Sequence, residues 1–153
     1  MSYESHQREA VRSVRCALLT VSDTRTPETD TSGATMRSLL EEAGHAVVDY
    51  VIVPDEPDRI REHLAGLSER DACDVILISG GTGIAPRDRT YEAVAGLLEK
   101  RLDGFGELFR MLSYNEIGSG AMLSRAVAGL FAGRAVFCMP GSTNAVRLAM
   151  TRL

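Results

Sequence analysis

The residues best suited to chemistry lie between Asp74 and Arg89, in the run DVILISGGTGIAPRDR. Three glycines fall within four positions, Gly80-Gly81-Thr82-Gly83, and Asp88 follows between Arg87 and Arg89. Glycine admits positive φ and lets a ligand approach the backbone closely. Successive N–H groups in such a turn can converge on a phosphate or carboxylate. A carboxylate beside a phosphate cradle commonly holds Mg²⁺ through its oxygens, and guanidinium groups suit phosphate oxygens. A second carboxylate, Asp55, follows Pro54 and could share the metal or orient a nucleophile. The run is neither G-x-x-x-x-G-K-[ST] nor G-x-G-x-x-G. Neither a Ser-His-Asp nor a Cys-His set is visible, which disfavours covalent catalysis. From the residues alone, the ligand is a phosphorylated small molecule, with a nucleotide and Mg²⁺ among the candidates. The chemistry is phosphoryl-type, run by positioning and electrostatics. No substrate identity follows from this.

These groups need a scaffold. Residues 14–21, 46–53, about 74–79 and 135–139 are apolar runs of strand type. Helical periodicity predicts helices over about 33–43, capped by Ser32 or Thr31 and closed by Gly44, and over about 58–70, capped by Asp58. A further helix starts after Thr90 as its cap. Gly104 and Gly106 suggest a break over 102–106, followed by a helix through Leu108–Leu112. Residues 115–120 read as a polar loop, 123–130 as helical or irregular, and a last helix starts near Thr143. Alternating strands and helices predict an α/β domain with a mostly parallel sheet covered on both faces. In such a sheet the strand carboxyl ends share one edge, where ligands bind at a switch point. Ser22-Asp23, Pro54-Asp55, the GGTG loop and Pro140-Gly141-Ser142 all fall at such ends. Each has an ordinary alternative: an Asx turn at Asp23, punctuation at Pro54-Asp55, a strand-to-helix turn at Pro140-Gly141-Ser142.

Composition narrows the class. One domain over 14–153 is expected, preceded by a loose polar arm at 1–13. The net charge of −4 and pI of about 5.4 argue against nucleic-acid and membrane-surface binding. Cys16, Cys73 and Cys138 show no metal-ligand spacing, and His6, His45 and His63 are scattered, so a zinc site is not expected. No apolar run reaches transmembrane length and no signal-peptide core opens the chain, which suggests a reducing cytoplasm.

Taken together, several blocks resemble the MoaB/MogA family of molybdenum cofactor biosynthesis proteins. They are Thr20-Val21-Ser22-Asp23, Val53-Pro54-Asp55-Glu56, Ser79-Gly80-Gly81-Thr82-Gly83, Pro86-Arg87-Asp88-Arg89-Thr90 and Met139-Pro140-Gly141-Ser142. Gly104-Phe105-Gly106-Glu107, Phe109-Arg110-Met111-Leu112-Ser113 and Ser124-Arg125-Ala126-Val127-Ala128-Gly129 look like the MoaB branch. The resemblance covers nearly the whole chain after the arm. It implies a three-layer α/β/α molybdopterin-binding fold. The implied ligand is molybdopterin, a pterin dithiolene with a terminal phosphate, which active members adenylylate with Mg-ATP, releasing pyrophosphate. The alternative is a non-catalytic carrier or scaffold in the same pathway. By motif match, Asp55 and Asp88 are implied as the catalytic and Mg²⁺-binding carboxylates. Gly80, Gly81, Thr82, Gly83, Pro140, Gly141 and Ser142 are implied as contacts to phosphates or nucleotide. Ser22 and Asp23 are implied at the nucleotide end, and Ser113 and Ser124 on the pterin side. Trimers or hexamers, and other proteins of the pathway, are the implied partners. The chain departs from the pattern at Cys138, where some adenylylating members carry Asn. Relatives also usually continue beyond the position of Leu153, so a less complete C-terminal packing is expected.

Overall fold

A computed structural model describes residues 2–10 and 12–153. Six strands form one sheet: β1 (Arg15–Val21), β2 (Ala46–Val53), β3 (Val75–Ser79), β4 (Lys100–Arg101), β5 (Val127–Phe131) and β6 (Arg134–Met139). Their order is β2-β1-β3-β6-β5-β4. The first four in that order are parallel, while β5 runs antiparallel to both β6 and β4. Residues of β1 are buried alternately on the two faces. Cys16 and Leu18 pack with Met36, Phe109 and Val146, while Ala17 and Leu19 pack with Ile60, Leu64 and Val94. Hence α2 (Thr31–Glu42), α5 (Asp103–Ile117) and α6 (Thr143–Arg152) cover one face, and α3 (Pro57–Glu69) and α4 (Thr90–Ala95) the other. The result is the expected three-layer α/β/α arrangement. The chain passes from β1 outward to β2, then returns across β1 to β3. The β1/β3 boundary is therefore the topological switch point.

Several local expectations are corrected. The N-terminal arm contains a helix, α1 (Tyr3–Glu9), whose Ser5 N–H donates to Ser2 Oγ at 3.3 Å. Asp30, not Ser32 or Thr31, caps α2, because its carboxylate accepts from the Gly33 N–H at 2.9 Å. Pro57 opens α3 and puts Asp58 in the first turn rather than at the cap. Thr90 is the first helical residue of α4, and Arg89 is its cap position. The glycines of 102–106 do not break the chain: α5 starts at Asp103 and runs through Asn115 to Ile117, followed by a 3-10 turn over Gly118–Leu123. Residues 127–131 are a strand, because Ala132 (φ 48°) and Gly133 (φ 78°) make a tight hairpin that pairs Phe131 with Arg134.

Asp30 anchors the α2 side of the sheet. It is 2% exposed, and accepts from the Tyr50 hydroxyl at 2.5 Å and from Arg25 at 3.2 Å. Burial works against its ionisation, but Thr20, Tyr50, the Gly33 N–H and Arg25 outweigh it and hold the carboxyl below its usual range. Asp30→Ala is expected to lower stability by about 2–4 kcal/mol, measured by urea unfolding at neutral pH, since it removes a cap and strands Arg25. A lowered folded pKa gives stability that is complete above the ordinary Asp value near ~4 and fades as pH falls through the folded value. The gap between wild type and Asp30→Asn should therefore narrow in acid.

Candidate functional site

The loops that leave β1, β3 and β6 meet at backbone contact. Gly80 has φ +99°, its N–H donates to Met139 O at 3.0 Å, and an added Cβ would overlap Val21 O. A Cβ on Gly141 would lie 2.9 Å from Gly80 Cα. Gly81 has φ +65°, and a Cβ there would overlap both Thr90 Oγ1 and Asp55 Oδ2. The missing Cβ thus makes room for the chain's own carboxylate as well as for a ligand. At Gly83 a Cβ would stand 2.6 Å from Asp88 Oδ2. Among the described residues no acceptor is found for the N–H groups of Gly81, Thr82, Gly83 and Ile84. Four successive donors without a partner beside two carboxylates are a combination that suits an anion held together with a cation.

Asp55 sits at the end of β2 and is 5% exposed. Its carboxylate accepts from the Arg89 N–H at 3.2 Å and from the Thr90 hydroxyl at 3.3 Å. Burial pushes its carboxyl up; those two donors oppose the shift, and the nearby Asp88 and Asp23 charges add to it. Asp88 is half-buried and accepts from the Ala85 N–H through Oδ2 at 2.9 Å. Asp23 accepts from the Asp55 N–H at 3.1 Å and from both Arg87 Nε and Nη2, at 2.7 and 2.9 Å. The Arg87 guanidinium, aided by the Asp55 N–H, holds the Asp23 carboxyl at about 2. Arg87 is thus committed to Asp23, its nearest anion, and Arg89 Nε donates to Pro86 O at 3.4 Å. Of the flanking arginines, Arg87 is engaged by Asp23, while Arg89 is exposed and its Nη groups make no hydrogen bond among the described residues. Among the described residues no group of three or more His, Cys, Asp or Glu could hold a metal ion. Asp55 and Asp88 nevertheless fit Mg²⁺, which binds through one or two carboxylates plus substrate phosphates. A cation there would relieve the crowding of negative charge that Asp55 experiences.

The other sequence candidates divide. Ser22 Oγ accepts from the Thr24 and Arg25 N–H groups and so closes its own turn. Pro140 leads into Gly141, whose carbonyl accepts from Ser32 Oγ at 2.6 Å and Arg25 at 3.1 Å, and Ser142 Oγ caps α6 through the Ala145 N–H at 3.2 Å. Thr82 is buried. Ser22, Asp23, Asp55, Gly80, Gly81, Thr82, Gly83, Asp88 and Gly141 therefore lie together at the strand carboxyl ends. Ser113 is buried on α5, and Ser124 follows the 3-10 turn; no hydrogen bond joins either to these loops. Cys138 lies fully buried among core residues of the α3/α4 side, and burial pushes its thiol up to about 12. It offers these loops no polar group. Sequence reasoning missed Arg25, Asp30 and Thr90 as parts of the site frame. It also missed Arg125, which donates to the Thr82 and Gly83 carbonyls. Thr90 and Arg125 fall within the family-like blocks, but their bonds to Asp55 and to the Thr82 and Gly83 carbonyls join loops distant in sequence, as does the bond of Arg25 to Gly141. Beside Asp23 and Arg87, an open groove of 970 Å³ runs along β2 past Tyr50 and Pro54, large enough for a nucleotide-sized ligand.

Comparison with known proteins supports the same conclusion. Residues 17–153 match the family model described as "Probable molybdopterin binding domain". Molybdenum cofactor biosynthesis protein B of Halalkalibacterium halodurans is 56% identical over 154 residues, covering 100% of this chain and 91% of that protein. A crystal structure of a molybdenum cofactor biosynthesis protein B superposes with a TM-score of 0.90 at 53% identity, covering 95% of this chain and 91% of that one. The tungsten cofactor synthesizing protein MoaB from Pyrococcus furiosus superposes with a TM-score of 0.82 at 36% identity, covering 92% and 90% of the two chains. By fold and sequence, the chain belongs to the molybdopterin-binding domain family, in its molybdenum cofactor biosynthesis protein B (MoaB) branch.

Proposed function

We propose that this member of the molybdenum cofactor biosynthesis family binds molybdopterin and adenylylates its terminal phosphate with Mg-ATP. The observation that carries the reading is the union of Asp55 and Asp88 with the four N–H donors of the glycine loop at the sheet's switch point. In this reaction a terminal phosphate oxygen of molybdopterin attacks the α-phosphorus of ATP. The bond from that phosphorus to the bridging oxygen breaks, and pyrophosphate leaves. Two anions must meet, so neutralising their charge is the main requirement. Asp55 and Asp88 would hold Mg²⁺ with the phosphate oxygens, and the ion would supply that neutralisation. The N–H groups of the GGTG loop bind and orient phosphates, and the Asp23–Arg87 pair fixes the loop edge beside the nucleotide groove. Ser113 and Ser124 remain assigned to the pterin side by family resemblance.

A binding-only role, as a molybdopterin carrier or scaffold, is the second reading. Cys138 favours it, because a fully buried thiol stands where some adenylylating members place Asn. We also assign an oligomer, trimer or hexamer, whose contact surface includes the outer face of α5 and the following 3-10 turn. Met111, Tyr114, Ile117, Met122 and Leu123 are all exposed there, and neighbouring exposed apolar side chains mark interaction surfaces. Pathway proteins that supply or accept the pterin are the further partners.

Incubation of the purified protein with molybdopterin, ATP and Mg²⁺ should yield pyrophosphate and adenylylated pterin. Pterin binding without turnover would decide for the carrier. Asp88→Asn is expected to lower turnover by about 100-fold or more with pterin binding and thermal midpoint retained; full activity would remove Asp88 from the mechanism. Asp55→Asn should lose turnover as deeply, yet unfold at an equal or higher temperature. Its raised folded pKa means that ionised Asp55 costs stability at neutral pH, a cost relieved as pH falls through the folded value. Ile117→Glu should shift the protein towards monomer in analytical ultracentrifugation, and a monomeric wild type would overturn the oligomer assignment.

A further inference from the structure

Arg125 lies between β5 and the 3-10 turn, far in sequence from the glycine loop, yet it grips that loop twice. Its Nε donates to Thr82 O at 2.8 Å and its Nη2 to Gly83 O at 2.6 Å. The guanidinium is itself held. It pairs with the Glu92 carboxylate of α4 through Nη1 and stands 4.8 Å from the centre of the Tyr91 ring. The Arg125 hydrogen bond keeps the Glu92 carboxyl below its usual range. No side-chain atom of Arg125 needs a ligand to complete this arrangement.

The consequence follows from the planarity of the peptide group. All described peptide bonds here are trans. In a trans peptide the C=O of one residue and the N–H of the next point in opposite directions. Holding Thr82 O therefore turns the Gly83 N–H away from Arg125, and holding Gly83 O turns the Ile84 N–H away likewise. Among the described residues those two N–H groups have no acceptor. Gly83, with φ freedom and no side chain, would otherwise let both peptides flip. A flip would point two carbonyl oxygens, instead of two donors, at an incoming phosphate.

We propose that Arg125 is the positioning residue of the glycine loop: it holds the Thr82 and Gly83 carbonyls from behind and so presents the Gly83 and Ile84 N–H groups to phosphate oxygens. The Glu92–Tyr91 seat fixes the guanidinium plane, and a planar fork is what two adjacent carbonyls require. Lysine, a compact point charge on a flexible stem, lacks that fixed planar fork. The inference rests on the phosphate-binding reading of this loop and deepens it.

The test uses the full-length protein, with inorganic pyrophosphate and Mg²⁺ as the probe. Calorimetry gives the dissociation constant, and ¹⁵N relaxation gives the order parameters of Gly83 and Ile84. In Arg125→Ala the pyrophosphate dissociation constant should rise about tenfold, as expected for two lost oriented donors. The order parameters of the two residues should fall from the rigid range to below about 0.6 while those of β1 and β3 hold. Arg125→Lys, which keeps the charge but not the planar fork, should lie between wild type and Arg125→Ala on both readouts, and it serves alone if Arg125→Ala fails to fold. The KM for ATP should follow the same order. Wild-type affinity in Arg125→Ala, or full rescue of affinity by lysine, overturns the proposal. So does weakened affinity with unchanged Gly83 and Ile84 order, which would instead mark a direct charge contact. A wild-type protein that does not bind pyrophosphate overturns the phosphate reading of the loop and this inference with it. Pyrophosphate binding without adenylyl transfer overturns only the transferase reading.

Discussion

A carboxylate, Asp55, is almost withdrawn from water at the point where the β2 and β3 loops meet, and much of the site exists to tolerate it. An ionised group buried there needs compensating donors, or it neutralises. The Arg89 N–H and the Thr90 hydroxyl supply them, which is why Thr90 enters α4 as its first residue rather than capping it. Gly81 must lack a side chain because the carboxylate and that hydroxyl occupy its Cβ position. The Asp55 N–H then locks Asp23, and Asp23 locks Arg87. Asp55 thereby ties the end of β2 to the β3 loop through its carboxylate and to the β1 loop through its N–H.

The opposite wall is built on the same principle with a different outcome. Asp30 is also buried, but it is surrounded by enough donors to stay ionised, so it acts as a structural post for α2, Arg25 and the Gly141 turn. Asp55 is less fully compensated and keeps negative charge pressing on it from Asp88 and Asp23. A carboxylate left short of positive charge beside the N–H donors of the glycine loop suits a site that meets phosphate together with a cation. The contrast separates a scaffold carboxylate from a working one by their partners rather than by their depth.

The strands were readable because the central ones are buried on both faces and appear as unbroken apolar runs, as at Leu18-Leu19 and Ile76-Leu77-Ile78. The helix ends were misread where a tertiary partner decided them. Asp30 caps α2 because Tyr50 and Arg25 gather around it, and nothing near Asp30 in sequence announces that. Gly104 and Gly106 looked like a break, but Gly106 is buried in α5 close to the Ala126 carbonyl, where a side chain would not fit. Strand β5 escaped notice because its hairpin turns on Ala132-Gly133, which lacks the usual Asn-Gly or Asp-Gly signal.

The amino-acid sequence by itself determined the α/β class, the positions of the four parallel strands, the family and the set of loops that could carry chemistry, since each depends on local pattern or on short motifs. Only the tertiary structure decided which groups are free to act. It locked Arg87 onto Asp23, sank Cys138 into the core, left four N–H donors without acceptors among the described residues and brought Arg125 behind them. The physical reason is that hydrogen-bond partners and desolvation are set by distance in space. In this fold the decisive partners lie between about 30 and 120 positions apart along the chain, as Asp23 with Asp55 and Arg25 with Gly141 show.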